Sequence, residues 1–268
     1  MARVEPEHPS YIVTEDHGIA VRVVRLNREE RLNAVCLPLY EQLEAALQEI
    51  AESRAVRAVV IIGTGRGFCV GADLKAHGSG DLTDQERRTY VQTGQRVFQL
   101  LQTIPQPTVA AVNGHAIGAG LELALSCDFI VAAEEAKLRL PEIGLGTFVG
   151  GGTIYTLTQR VGVARAKELI MLGDFFTGRD AAAMGLANRA VPSSQVRTVG
   201  LEIAATLARK APVSMRLAKE LLRKAQRIDF DAAMELEGNA LLQCMTTHDW
   251  KEGIDAYHAK RDPEFEGR

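Results

Sequence analysis

Apolar positions along the chain show two textures. Up to about residue 192, short β-branched runs alternate with stretches of helical spacing, and beyond that only helical spacing remains. Residues 11–15 and 19–25 are β-rich runs separated by Asp16-His17-Gly18, which predicts a hairpin. From Leu39, apolar Leu43, Ala46, Leu47 and Ile50 recur at helical spacing behind Pro38, a residue suited to a helix start. Residues 56–62 have few polar interruptions, as expected of a strand buried on both faces. A helix is predicted over 85–104, with Tyr90, Val97, Leu100 and Leu101 as its stripe. A second buried strand over 108–112 breaks at Asn113-Gly114. A short helix over 119–126 follows, then strands over 128–132 and 137–140, the last ended by Pro141. Helices are expected over 163–172, 179–184, 195–209, 213–224, 230–245 and 249–260. The alternation implies an α/β core, and residues 200–268 read as a helical appendage that closes a site or packs against another subunit.

Glycine adds a second pattern. Of 24 glycines, 15 fall between Gly63 and Gly152. Twelve form three clusters: Gly63, Gly65, Gly67, Gly71; Gly114, Gly118, Gly120; and Gly144, Gly146, Gly150, Gly151, Gly152. Clustered glycine marks a main chain that turns sharply or approaches a ligand closely. The first two clusters each follow a predicted strand, and the second opens a helix, so both can present main-chain N–H groups to developing negative charge. Facing one another, they would form an oxyanion hole. Either loop alone could equally turn a strand into a helix.

Bulk properties narrow the function classes. With 31 basic and 34 acidic residues the net charge is −3, which argues against a basic nucleic-acid binder. The four cysteines are far apart and read as reduced, mostly buried thiols. The charged first nine residues lack a signal-peptide pattern, and the charge-free run 143–159 is too rich in Gly and Thr for a membrane span; a cytoplasmic protein is expected. No Walker loop, dinucleotide fingerprint, zinc-protease helix or Gly-x-Ser-x-Gly elbow occurs.

Two carboxylates carry the candidate chemistry. Glu122 lies in the first turn after the second glycine cluster, and Glu142 follows Pro141 before the third. They are twenty residues apart, so any pairing is tertiary. Beside an oxyanion hole, two carboxylates can move protons at carbons next to a polarised carbonyl. Taken singly, Glu122 is also what a helix N-terminus favours, and Glu142 reads as a strand-end charge. His77 and His115 are further acid–base candidates, though loop or surface positions account for them.

Three ordered motifs are recognisable: Gly67-Phe68-Cys69-Val70-Gly71-Ala72-Asp73-Leu74, then Ala111-Val112-Asn113-Gly114 through Cys127-Asp128, and Pro141-Glu142-Ile143-Gly144-Leu145. With them, and from Leu26-Asn27-Arg28 to the Lys260-Arg261 tail, the chain resembles the crotonase family, also called the enoyl-CoA hydratase/isomerase superfamily. The resemblance implies a crotonase-like ββα spiral core with the acyl-CoA site over residues 1–199. It also implies a C-terminal helical region, 200–268, for oligomer packing and site closure. The expected activity is enoyl-CoA hydration, with double-bond isomerisation or other enolate chemistry as the alternative and a non-catalytic acyl-CoA or RNA-binding member as a third reading. The thioester oxygen would accept the N–H groups of Ala72 and Ala119. Glu122 would mainly activate water and Glu142 mainly protonate the α-carbon. Val70, Gly71, Asp73, Leu74, Lys75, Gly118 and Lys260 match the region that meets substrate and coenzyme A. No cofactor is implied, since coenzyme A is part of the substrate, and homotrimers or dimers of trimers without nucleic acid or membrane are expected. Two departures stand out: Ala119 replaces the middle family glycine, and Thr147-Phe148-Val149 replaces a Phe-Pro-Gly-like stretch near the acyl group. The polar segment 76–81 is expected to border the acyl pocket.

Overall fold

In the computed structural model, residues 9–77 and 82–268 are described. The chain runs β1 (Ile12–His17), β2 (Val21–Leu26), α1 (Leu37–Glu52), β3 (Ala58–Gly63), β4 (Gly67–Cys69), α2 (Leu74–His77), α3 (Asp84–Thr103), β5 (Thr108–Val112), β6 (His115–Ile117) and α4 (Ala119–Ser126). It continues through β7 (Phe129–Ala133), β8 (Lys137–Arg139), α5 (Thr153–Lys167), β9 (Phe176–Thr177), α6 (Gly178–Ala183), β10 (Arg189–Val191), α7 (Ser193–Ala208), α8 (Pro212–Lys224), α9 (Phe230–Met245) and α10 (His248–Ala259).

A larger sheet has strand order β1-β2-β3-β5-β7-β10 and a smaller one β4-β6-β8-β9. Three times in succession the chain leaves a strand of the larger sheet and enters the neighbouring strand of the smaller one: β3 to β4, β5 to β6, β7 to β8. Helices return it after β4 and β6, while after β8 the chain first adds β9 to the smaller sheet; all pairings among the six strands β3 to β8 are parallel. This repeated strand–strand–helix step is the spiral expected of the α/β, crotonase-like fold class.

Burial explains the strand sequences. Every residue of β3 is buried. Val59 and Ile61 join one core, with α1, α3 and α4, while Ala58, Val60 and Ile62 join a second beneath α7. Such period-two division between two apolar layers leaves no place for polar residues. Each fully buried Val or Ile contributes about 1.5–3 kcal/mol.

Several elements differ from expectation. The first hairpin turns at residues 18–20, with His17 opposite Val21, because Gly18 and Ala20 supply the left-handed conformations. The expected helix over 163–172 is the second half of a longer one that begins at Thr153, breaks at Gly162 (φ 73°) and ends as a π-helical stretch over Glu168–Leu172. β4 and β6, three residues each, read as loops in the sequence because strands so short carry no periodicity.

Helix α7 spans residue 200 and packs as a unit on β3, β5 and β7 through Val196, Gly200, Ala204 and Ala208. Beyond it, α8 and α9 bury no residue fully, and α10 buries Asp249 and Ala256. Cys69 and Cys127 are buried, Cys36 and Cys244 half-buried, and all four are free thiols. Among the described residues no helix is long and apolar enough to cross a membrane.

Candidate active site

The site forms where β4 and β6 end side by side. Gly118 caps α4 at φ 51° and ψ −125°, a conformation restricted to glycine, and its N–H donates to the Arg139 carbonyl at 2.9 Å. Two residues on, a Cβ at Gly120 would stand 1.9 Å from the Cys69 carbonyl oxygen. The first turn of α4 therefore lies directly against the backbone leaving β4. Ala72 sits on that backbone in a parallel bridge with Val35: Val35 N–H donates to the Gly71 carbonyl, and Asp73 N–H to the Val35 carbonyl. In that geometry the N–H of Ala72 itself points away from Val35. Ala119 is the first residue of α4, where an N–H has no intrahelical acceptor. Among the described residues neither N–H meets a protein acceptor, and both residues line one cavity of about 280 Å³.

Glu122 and Glu142 line the same cavity. Glu122 is 4% exposed, and its Oε2 accepts three hydrogen bonds: from Gly150 N–H at 3.0 Å, Gly151 N–H at 2.7 Å and the Thr153 hydroxyl at 2.6 Å. Burial raises its pKa, while these three donors pull it back toward the ionised form. Glu142 is in a poorer setting. Its Oε2 is buried without a hydrogen-bond partner among the described residues, and burial, with the charge of Glu122 adding to it, pushes its pKa up to about 7. Near neutrality the cavity thus holds one carboxylate with donors arranged for its charge and one that readily keeps a proton. Cys69, on the other side of α4, offers no nucleophile, since burial pushes its thiol to about 12.

The family model for enoyl-CoA hydratase/isomerase matches residues 16–268. The chain belongs to the enoyl-CoA hydratase/isomerase family. It is 36% identical over 248 residues to the 2,3-dehydroadipyl-CoA hydratase of Escherichia coli (strain K12), across 92% of this chain and 96% of that one. To the short-chain-enoyl-CoA hydratase of Clostridium acetobutylicum it is 33% identical over 251 residues, across 93% and 95%. The crystal structure of an enoyl-CoA hydratase from Bacillus anthracis matches with a TM-score of 0.92 at 35% identity, covering 96% of this chain and 100% of that one.

Within this enoyl-CoA hydratase/isomerase chain, the structure brings together Ala72, Ala119, Glu122, Glu142, Val70, Gly71, Leu74 and Gly118 around the cavity. Asp73 does not line it. Its carboxylate pairs with Arg28 at 2.8 Å and accepts the Lys75 N–H at 3.2 Å, so it anchors the loop from below. The side chains of Lys75 and Lys260 are exposed and outside the cavity. His115 uses Nδ1 to accept the Lys137 N–H at 3.1 Å, a structural bond between neighbouring strands. Residues 78–81 and the side chains of Ala76 and His77 lie outside the described residues.

Sequence reasoning missed the grip of the third glycine cluster on Glu122. The signal was present, since Gly150-Gly151-Gly152-Thr153 has the character of a helix start, but the helix was expected ten residues later. Ala119 keeps its N–H, and its methyl is partly buried against the larger core. The neighbouring glycines, 118 and 120, are the ones without room for a side chain.

Proposed function

We propose that the protein is an enoyl-CoA hydratase, adding water reversibly across the 2,3 double bond of a 2-enoyl-CoA to give a 3-hydroxyacyl-CoA. The observation that carries this reading is the convergence of two differently set carboxylates on a cavity edged by two main-chain N–H groups that meet no acceptor among the described residues. The thioester oxygen accepts from Ala72 and Ala119, and negative charge gathers on it as water attacks C3. One such donor is worth about 3 kcal/mol of barrier. Glu122, whose negative charge Gly150, Gly151 and Thr153 support, takes a proton from the attacking water. Glu142, protonated near neutrality, delivers its proton to C2. The carbon–oxygen and carbon–hydrogen bonds so formed account for one water, and a proton passing from Glu122 to Glu142 resets the pair.

Isomerisation moves a proton between carbons and needs no activated water, so the donor set around Glu122 favours hydration. Assembly into trimers or dimers of trimers belongs to the same reading. The exposed Leu222, Phe230, Leu241, Leu242 and Tyr257 of the C-terminal helices support it.

The test is loss of the conjugated thioester absorbance of crotonyl-CoA with purified protein. Glu122→Gln and Glu142→Gln are each expected to reduce hydration by about 10²–10⁴-fold. Hydration at the wild-type rate in either variant would refute the two-carboxylate mechanism, and turnover of positional isomers without hydration would establish an isomerase instead.

A further inference from the structure

The cavity beside Glu122 has an open end and a blind end. At the open end stand Leu74, Val91, Leu145 and Phe148, all large, apolar and between 49% and 62% exposed. At the blind end Tyr40 is 3% and Phe98 5% exposed, with half-buried Tyr90 beside them. A group as large as coenzyme A fits only the open end, so an acyl chain attached to it points toward the aromatic end.

That end is rigidly built. The Tyr40 ring lies 5.4 Å from the Tyr90 ring and 5.9 Å from Phe98, edge-on to the latter. Burial raises both phenol hydroxyls above the ordinary range. Gly94 admits this packing, because a Cβ there would stand 3.1 Å from Cε2 of Tyr40. A glycine inside a helix is otherwise unfavourable. On its other side the Phe98 ring meets the backbone of Gly151, where a Cβ would come within 2.9 Å. Gly151 is also a donor to Glu122, so the ring that closes the pocket supports the loop that holds the base.

We propose that Tyr40, Tyr90 and Phe98 form a fixed end wall that measures the acyl chain, so that the site takes short acyl groups and rejects long ones. The proposal rests on the reading of the cavity as an acyl-CoA site. A volume of about 280 Å³ falls just below the usual range for ligand pockets, and the thioester and reacting carbons occupy part of it. Close-packed rings cannot retreat to make room, so each methylene beyond the wall forces strain.

The experiment compares crotonyl-CoA with trans-2-decenoyl-CoA in turnover, and butanoyl-CoA with decanoyl-CoA in binding by calorimetry. The wild type is expected to favour the short ester by at least about a hundredfold in kcat/KM. Tyr90→Ala should raise the long-to-short ratio at least about tenfold, and Phe98→Leu should raise it in the same direction. Tyr40→Phe keeps the ring and should leave the ratio unchanged. Equal kcat/KM for the two chains in the wild type, or an unaltered ratio in every folded wall variant, overturns the proposal. No turnover of either ester, with short-over-long binding retained, removes the hydratase reading and leaves the wall standing.

Discussion

Oε1 of Glu142 lies so close to the α-carbon of Gly118 that a Cβ built there would stand 2.7 Å from it. The glycine that caps α4 therefore does two things at once: it adopts a conformation closed to other residues, and it clears the space in which the second carboxylate sits. Gly118→Ala is expected to lose about 1–3 kcal/mol of stability from backbone strain. Hydration should fall by about two orders of magnitude, because Glu142 or the Ala119 N–H must shift. Urea denaturation and the crotonyl-CoA assay read the two effects separately. A variant with near-wild-type kcat would show that Glu142 has another place to go.

The raised pKa of Glu142 makes stability depend on pH. Its ordinary value is 4.5 and its folded value about 7, so the folded state holds the proton more tightly. Its stabilising contribution is complete below 4.5 and is lost as pH rises through about 7. Glu142→Gln keeps the neutral shape and cannot ionise, so it should match the wild type at about pH 4.5 and exceed it by up to ~3 kcal/mol at about pH 8. Chemical denaturation across that range is the measurement, and parallel wild-type and variant curves would contradict the assignment.

Thr153 donates to the oxygen of Glu122 that also accepts from Gly150 and Gly151. Removing a donor from a carboxylate favours its protonated form. Thr153→Val should therefore lower kcat at neutral pH by about tenfold or more and move the acid limb of the pH–rate profile upward. Thr153→Ser, which restores the hydroxyl, should return the limb to its wild-type position. A uniform loss of rate with no movement of the limb would mean that Thr153 acts on packing alone.

Asp73 separates anchoring from ligand binding. Its ion pair with Arg28 has side-chain exposures of only 10% and 12%. Breaking such a pair from one side costs about 3 kcal/mol or more, because the remaining charge stays buried. Asp73→Asn should lose stability on that scale. It should also lower kcat more than it raises KM, since the loop it anchors carries the Ala72 donor. A large rise in KM with stability unchanged would instead make Asp73 a direct contact to substrate.

Much of the fold was legible along the chain. β5 and α4 fall at the boundaries that apolar spacing predicts, as does α9, because each satisfies a single local rule: burial on both faces, a glycine-opened helix, or a period of 3.6. Of the smaller sheet, β8 matches the strand expected over 137–140, but β4 and β6 were not legible. β4 and β6 are three residues each and owe their extended form to pairing with one another rather than to any pattern of their own. The break at Gly162 was hidden for a related reason, since one glycine inside a helical pattern does not reveal whether the helix kinks or continues.

The same division holds at the site. Sequence alone supplied Glu122, Glu142 and the glycine clusters, and the motifs that carry them, because residue type and local spacing are written in the chain. Tertiary structure decided that the two carboxylates meet. β6 and β8 are neighbours in the smaller sheet, with Ile117 paired to Arg139, so the residues just after each strand emerge together. The nineteen residues between Glu122 and Glu142 pass through α4, cross to the larger sheet as β7 and return as β8. Only that packing could bury Glu142 with one oxygen lacking a partner among the described residues while giving Glu122 three donors, and a side chain's protonation is set by its surroundings.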